Sequence, residues 1–420
     1  MRTPDQTHAS KFRSIIRVRG RSVLEMTISD PFPHRLGLVQ LFLKFLRFGC
    51  LAFGGPVAQI GMIRHALVDE EPWISPARFN RLLAVMQILP GPEAHELCVH
   101  MGMMARGRIG GLLAGLGFML PGFVLMLLAG WLYQHWILGH PGTAAAMLGI
   151  QIVVLAIILR AVQRIGGHAL GDWLLWFLAG ASFLATLAAV PFWIPLVAAG
   201  LVYAFSTRKA AVAAILLAAM ALAWALQLSG PDPVAPDPIS HGQANSFDLF
   251  LAGLKGGLLT FGGAYTAIPY VRADTVGRGW LSDASFLDGV ALAGTLPAPL
   301  VIFATFAGYV AGGWSGAFAI TAGMFLPAFA FSLILFERLE AIVENPALHR
   351  LLSGVAAAVV GVIGATWLQL SWSTFGRVSN VGPAIALFAV GVAAVWLLKG
   401  KLVTPALVIL GGLAGWAFSP

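Results

Sequence analysis

The stretch LFLKFLRFGCLAFGG at residues 41–55 returns as LFLAGLKGGLLTFGG at residues 249–263, a shift of 208 residues. Onward from it, Arg64 falls on Arg272, Trp73 lies one residue out of step with Trp280, Leu89-Pro90 matches Leu296-Pro297, and Pro121 matches Pro327. Apolar segments resemble one another by chance. Chance does not place FGG, Arg, Trp, LPxP and a later LP in one order, so the chain reads as a duplicated unit.

Composition says where the unit sits. Of 420 residues 58% are hydrophobic and 10% charged, against roughly 25% charged in a soluble domain. The mean hydropathy is +0.84. A soluble fold, a disordered chain and a disulfide-stapled secreted domain are excluded, and Cys50 and Cys98 sit in apolar surroundings. The basic balance, with a pI near 9.9, comes from residues scattered singly between apolar runs. With no basic face carrying interleaved aromatics, nucleic acid is not a partner, and the positive charge reads as membrane topology. The partner is the lipid bilayer.

A span needs roughly 20 largely apolar residues. After a basic tail at 1–35, candidates lie at 38–63, 78–105, 109–137, 143–163, 173–190, 192–207 and 210–229, then at 247–270, 283–311, 314–336, 350–371, 381–398 and 402–418. The short pair 173–190 and 192–207 reads as two elements or one bent pair at Pro191 and Pro195. The fold class is thus an all-α polytopic integral membrane protein with about thirteen transmembrane or half-membrane elements. Its organisation reads as a tail (1–35), a first repeat (36–229), a Pro/Asp linker (230–246) and a second repeat (247–420). Alternate loop ends carry Arg106 and Arg108, Arg160 and Arg164, Arg208 and Lys209, Arg272 and Arg278, Arg338 and Arg350, and Lys399 and Lys401. The opposite side has the Pro/Asp linker, the turn at 312–313 and Arg377 alone, except that the loop 64–81 carries Arg64, Arg78 and Arg81 offset by Asp69, Glu70 and Glu71. The positive-inside rule then puts the N-terminus in the cytoplasm and the C-terminus in the periplasm. Seven elements is an odd number, so the second repeat enters from the other side. Inverted repeats of this kind place substrate near the midplane and alternate access by rocking.

Each unit has two breaks: Phe53-Gly54-Gly55-Pro56 with Phe261-Gly262-Gly263-Ala264, and Leu89-Pro90-Gly91-Pro92 with Leu296-Pro297-Ala298-Pro299. Proline removes a donor, and paired glycines permit unwound backbone. In hydrocarbon, freed backbone groups survive only inside protein or around a wet cavity. Gly and Pro also kink tightly packed helices, but two matched pairs favour half-helices meeting at a site, with N–H groups suited to an anion. Arg47 and Lys255 coincide under the repeat, each six residues before its FGG. An intramembrane cation marks a function by default, so the pair points to a dianion such as a tetrahedral oxyanion. Lys44, opposite Ala252, is a snorkelling residue.

The stretch Pro92-Glu93-Ala94-His95-Glu96-Leu97-Cys98-Val99-His100 has no counterpart in the second unit. Its HExxxH spacing sets the histidines about 140° apart on a helix, against a shared metal, so neither metal nor cofactor is expected. Glu93, His95 and Glu96 are the proton-carrying candidates, although Glu93 in a first helical turn also complements the helix dipole. Gly313-Trp314-Ser315-Gly316 has no partner for a serine nucleophile, and no enzyme is expected.

FGGPVAQI (53–60), EPWIS with ARF following (71–79) and LPGPEAHEL (89–97), echoed as FGGA, GWLS and LPAP, resemble the chromate ion transporter family in its long, duplicated form, over nearly the whole chain after residue 35. The resemblance implies an inner-membrane carrier that exports chromate, a sulfate look-alike, using the proton gradient, with Gly54, Gly55, Pro56, Gln59, Pro90, Gly91 and Pro92 in its functional core. Sulfate transport, a passive anion channel and a membrane-embedded metalloenzyme are the alternatives. A homo-oligomeric state is left open. The second unit departs at Ala264 and Ala298, so Gly55→Leu is expected to cost more than Gly263→Leu.

Overall fold

A computed structural model describes residues 36–86, 89–138, 141–229, 244–261, 263–334, 346–398, 400 and 402–417. The basic tail, most of the linker, Gly262, Arg338, Lys399 and Lys401 lie outside the described residues. The apolar runs fold as α-helices. In the first half these are α1 (Leu38–Cys50), α2 (Gly55–Arg64), α3 (Pro76–Met86), α4 (Glu93–Leu132), α5 (Pro141–Ala169), α6 (Trp173–Leu187), α7 (Trp193–Ala204) and α8 (Lys209–Ser229). In the second they are α9 (Ser246–Leu258), α10 (Ile268–Thr275), α11 (Asp283–Thr295), α12 (Phe303–Ile334), α13 (Pro346–Phe375), α14 (Val381–Leu397) and α15 (Val403–Ala417). Five helical stretches among the described residues are long and apolar enough to cross a membrane.

The count differs from the thirteen elements expected because the breaks cut deeper than a kink. The candidate spans 38–63, 78–105, 247–270 and 283–311 are each two separate pieces divided at FGG or LPxP. The turn expected between 105 and 109 does form: the short and long arms of α4 fold back at Arg106 (φ −145°, ψ 27°) and Gly107 (φ 63°, ψ −156°). The fold recurs in α12 at Gly312 (φ −146°, ψ 19°) and Gly313 (φ 63°, ψ −150°). Gly107 and Gly313 take a positive φ that a side chain disfavours. Glycines then let the arms close on themselves, Gly102 against Gly110 and Gly308 against Gly316.

The two units repeat these contacts. Gly117 lies on the backbone of Phe42 and Leu46 in α1, and Gly323 on that of Phe250 and Leu254 in α9. The long arms then meet each other: Gly111 faces Leu333, Gly115 faces Phe329, and the Phe123 ring lies 5.0 Å from that of Phe318, tilted at 58°. One number rises as the other falls, so equivalent helices run antiparallel and the two units are inverted. The hairpin tips lie at opposite faces. Arg106 Nε donates to Leu36 O (2.6 Å) at one face, and Ala244 N donates to Ala311 O (3.1 Å) at the other.

The outer helices interlock the units. The α5 helix of the first packs on α14 and α15 through Gly149, Gly411 and Gly391, while α13 of the second packs on α6 and α7 through Gly361 and Gly354. The pair α6 and α7 is two helices, 15 and 12 residues long, so at 1.5 Å per residue neither crosses the full hydrocarbon core. No residue in the apolar window of α8 is buried. Its 21 residues reach about 31 Å, and its role is topological: it carries the chain across so that the second copy starts at the opposite face.

Candidate functional site

The four breaks meet at the centre and are tied across the unit boundary. Gln59, buried just after the first FGGP, donates Nε2 to Ala52 O (2.9 Å) and to Ala298 O (2.7 Å) in the second LPxP. Gly91 N in the first LPxP donates to Thr260 O (2.8 Å), beside the second FGG. Pro297 backbone packs against Gly122 of the α4 long arm. Gly54 (φ 88°) caps α2 and Pro92 caps α4, neither with a side-chain hydrogen bond to the helix, which leaves first-turn N–H groups for another acceptor.

Beside this junction is a cavity of about 330 Å³. Its inner end is Pro56, Val57, Glu93, Phe261, Gly263 and Tyr265; its walls are Arg164 and His168 from the end of α5, and His349 and Ser353 from the start of α13. Both walls lie at the face of the Arg106 tip, because α4 leaves that face and α5 returns to it. Arg164 is half-buried, His168 and His349 are exposed, and Glu93 is 8% exposed. The Glu93 carboxylate feels Arg164 and His168 across the space. A guanidinium, two imidazoles and helix N-termini favour an oxyanion. Glu93 supplies the one carboxylate in the lining.

The structure therefore gathers Pro56, Glu93 and Gly263 at the cavity, with Gly54, Gly55, Gln59, Pro90, Gly91 and Pro92 as the scaffold behind them. Glu96 is fully buried one turn further in, its carboxyl against Gly91 and without a hydrogen-bond partner among the described residues. His95 is also buried, its ring edge-on to Phe325 (4.9 Å) and Phe329 (4.7 Å). The paired cations expected of Arg47 and Lys255 do not form at the cavity. Arg47 is exposed on α1, and Lys255 is held by Asp274 (2.8 Å) beneath Phe192 (4.3 Å). Symmetry in sequence puts both before a break, but helix rotation turns neither into the lining. Lys44 does snorkel: it reaches Glu71 in the loop after α2 and lies 5.2 Å over Trp73. That ammonium holds the Glu71 carboxyl below its ordinary range.

The sequence does not single out Arg164, His168 or His349, which line the cavity. Arg164 had been read as a loop charge; its signal was the four-residue spacing to His168 at the end of an apolar helix, which puts both on one face. The second unit also matters more than its departures suggest. Gly263 lines the cavity at φ 130°, ψ 155°, a region essentially closed to other residues, whereas Gly55 at φ 77° is near the left-handed region that costs a side chain about 1–2 kcal/mol. Gly263→Ala is expected to lower transport more than Gly55→Ala at equal membrane content, measured as efflux from loaded cells.

An all-α polytopic membrane protein of two inverted, interlocked units, with broken helices around an anion-suited cavity, is the class that fold and site define. The chain belongs to the chromate transporter family, which it matches over residues 39–205 and 247–416. It is 55% identical to a chromate transport protein of Pseudomonas aeruginosa, over 93% of this chain and 95% of that one. It is 30% identical to a chromate transport protein of Cupriavidus metallidurans, over 91% and 94%, and 27% identical to a probable chromate transport protein of Synechococcus elongatus, over 94% and 99%. No solved structure is significantly similar. These are transport proteins and not enzymes.

Proposed function

We propose that this protein exports chromate across the cytoplasmic membrane, coupled to the proton gradient, and thereby confers chromate resistance. The observation that carries the reading is the cavity in which Arg164, His168, His349 and Glu93 meet the uncapped helix ends. Arg164 binds the dianion, first-turn N–H groups of α2 and α4 take its remaining oxygens, and Glu93 exchanges the proton. Glu96 and His95 lie behind Gly91 and reach the cavity only when that break moves. With the N-terminus in the cytoplasm and the C-terminus in the periplasm, the cavity opens inward, where an exporter collects its load. Two negative charges leaving an inside-negative cell gain about 4.6 kcal/mol per 100 mV, so the field assists export.

Labelled chromate uptake into inverted vesicles tests the reading. Uptake is expected to rise when the lumen is made acidic and to fall with excess sulfate, which has the same shape and charge. Vesicles that take up no more chromate than those lacking the protein would refute it. Uptake indifferent to lumenal acid would retain transport and remove proton coupling.

A further inference from the structure

A second polar cavity, of about 380 Å³, lies at the opposite face. The α5 helix links the two. Arg164 and His168 at its end line the first cavity, and Thr143, Met147 and Gln151 at its start line the second. Gln151 and Arg164 are separated by about 20 Å of helix. Between them Val154, Ile157, Ile158, Val290, Leu300 and Val408 enclose an apolar void of about 10 Å³, at the lower limit for one water. Tyr265 borders both this void and the first cavity. Two cavities and a narrow, mainly apolar gap between them thus lie along α5.

A buried carboxylate ties together the walls of the second mouth at its floor. Asp288 of α11 is 2% exposed. It accepts from Tyr133 Oη (2.8 Å), just past α4, and from Gln151 Nε2 (2.8 Å) of α5. Arg377 Nη2, just past α13, donates to Gln151 Oε1 (2.8 Å). Asp288 joins three elements directly, and Gln151 ties the fourth to them through Arg377. Around Asp288, Tyr133 and Arg377 are the titratable groups. The α5 helix presents the neutral Gln151, and α12, α15 and the turn at Leu300–Ile302 present apolar side chains such as Phe306, Val408 and Ile302.

We propose that Asp288 is a proton-binding site of the far mouth, distinct from Glu93, and that its carboxylate latches that mouth until a proton arrives from that side. The proton adds to a carboxylate oxygen and no other bond changes. Tyr133 and Gln151 then lose their charged acceptor, and charge-assisted hydrogen bonds are roughly twice as strong as neutral ones. The four elements loosen, and the Arg377 guanidinium is left facing an open mouth toward which the oxyanion leaves. The proposal rests on the transport reading above but adds a site that reading does not use.

The test is chromate–chromate exchange in inverted vesicles of the full-length protein, because exchange has no net driving force and reports opening alone. Lumenal pH, which bathes the far mouth, is set from about pH 8 to about pH 6, where buried carboxyls titrate, with external pH constant so that Glu93 is unchanged. The parental protein should exchange several-fold faster at the acidic end. Asp288→Asn should exchange at that faster rate throughout, with no response to lumenal pH. Tyr133→Phe keeps the carboxylate and removes one donor, so its midpoint should move to higher pH. An Asp288→Asn protein that inserts and retains the parental pH response overturns the proposal, as does one that inserts and does not exchange. If Asp288→Asn does not insert, an unshifted Tyr133→Phe midpoint overturns it. Parental exchange that ignores lumenal pH sinks the latch while leaving chromate transport intact, and absence of parental exchange sinks the transport reading itself.

Discussion

Arg164→Gln should abolish chromate transport at normal expression while leaving membrane insertion unchanged. Arg164 is the guanidinium in the cavity lining, half-buried at the end of α5, and helix N-termini beside it carry only partial charge. Removing one partner of a partly buried charge contact costs about 3 kcal/mol, roughly a hundredfold in affinity. Arg164→Lys keeps a point charge without the planar fork and should retain weak transport with a raised KM. Arg47→Gln is the control. Arg47 is exposed on α1, away from the cavity, so its loss should leave efflux near the parental rate. Labelled chromate efflux from cells matched for membrane protein measures all three. Parental transport by Arg164→Gln would move the anion site elsewhere.

Glu93→Gln should separate binding from coupling. Glu93 is the carboxylate in the lining, and a unit charge about 4 Å from a dianion opposes it by about 2 kcal/mol even in a fully aqueous dielectric. Neutralising it should tighten chromate binding on the cavity side more than tenfold at a pH where Glu93 is ionised. In the parental protein, acidifying that side should strengthen binding as Glu93 takes a proton. In Glu93→Gln that response should be lost. Exchange should persist with its response to lumenal acid, and accumulation of chromate beyond its electrochemical equilibrium under a pH gradient should be lost. The measurements are equilibrium binding in detergent against pH, and gradient-driven uptake in inverted vesicles. Accumulation of this kind that survives intact would remove Glu93 from the coupling path.

The helical membrane class, the duplication, the inversion and the four break positions were legible in the chain. Each depends on something local or countable: apolar length, Gly and Pro that no continuous helix accommodates, and an odd number of crossings. The break at Gly91-Pro92 needed no tertiary context, because proline cannot donate there. The turns at Arg106-Gly107 and Gly312-Gly313 were legible as gaps between candidate spans, but the close packing of the arms on either side of them was not. A single glycine in an apolar run signals only tolerance, and the fold-back forms because Gly102 and Gly308 give the returning arm room. The charges were legible as charges but not as partners. Arg47 and Lys255 share a position in the repeat, yet α1 turns the first outward and Asp274 takes the second. Arg164, on a helix that crosses to pack against the other unit, comes to face Glu93. By itself, the sequence determined that the chain is a duplicated, inverted bundle of broken membrane helices. Which cations meet which carboxylates was decided only by the tertiary structure, because that depends on helix rotation and on the exchange of α5 and α13 between units, which no spacing within one helix encodes.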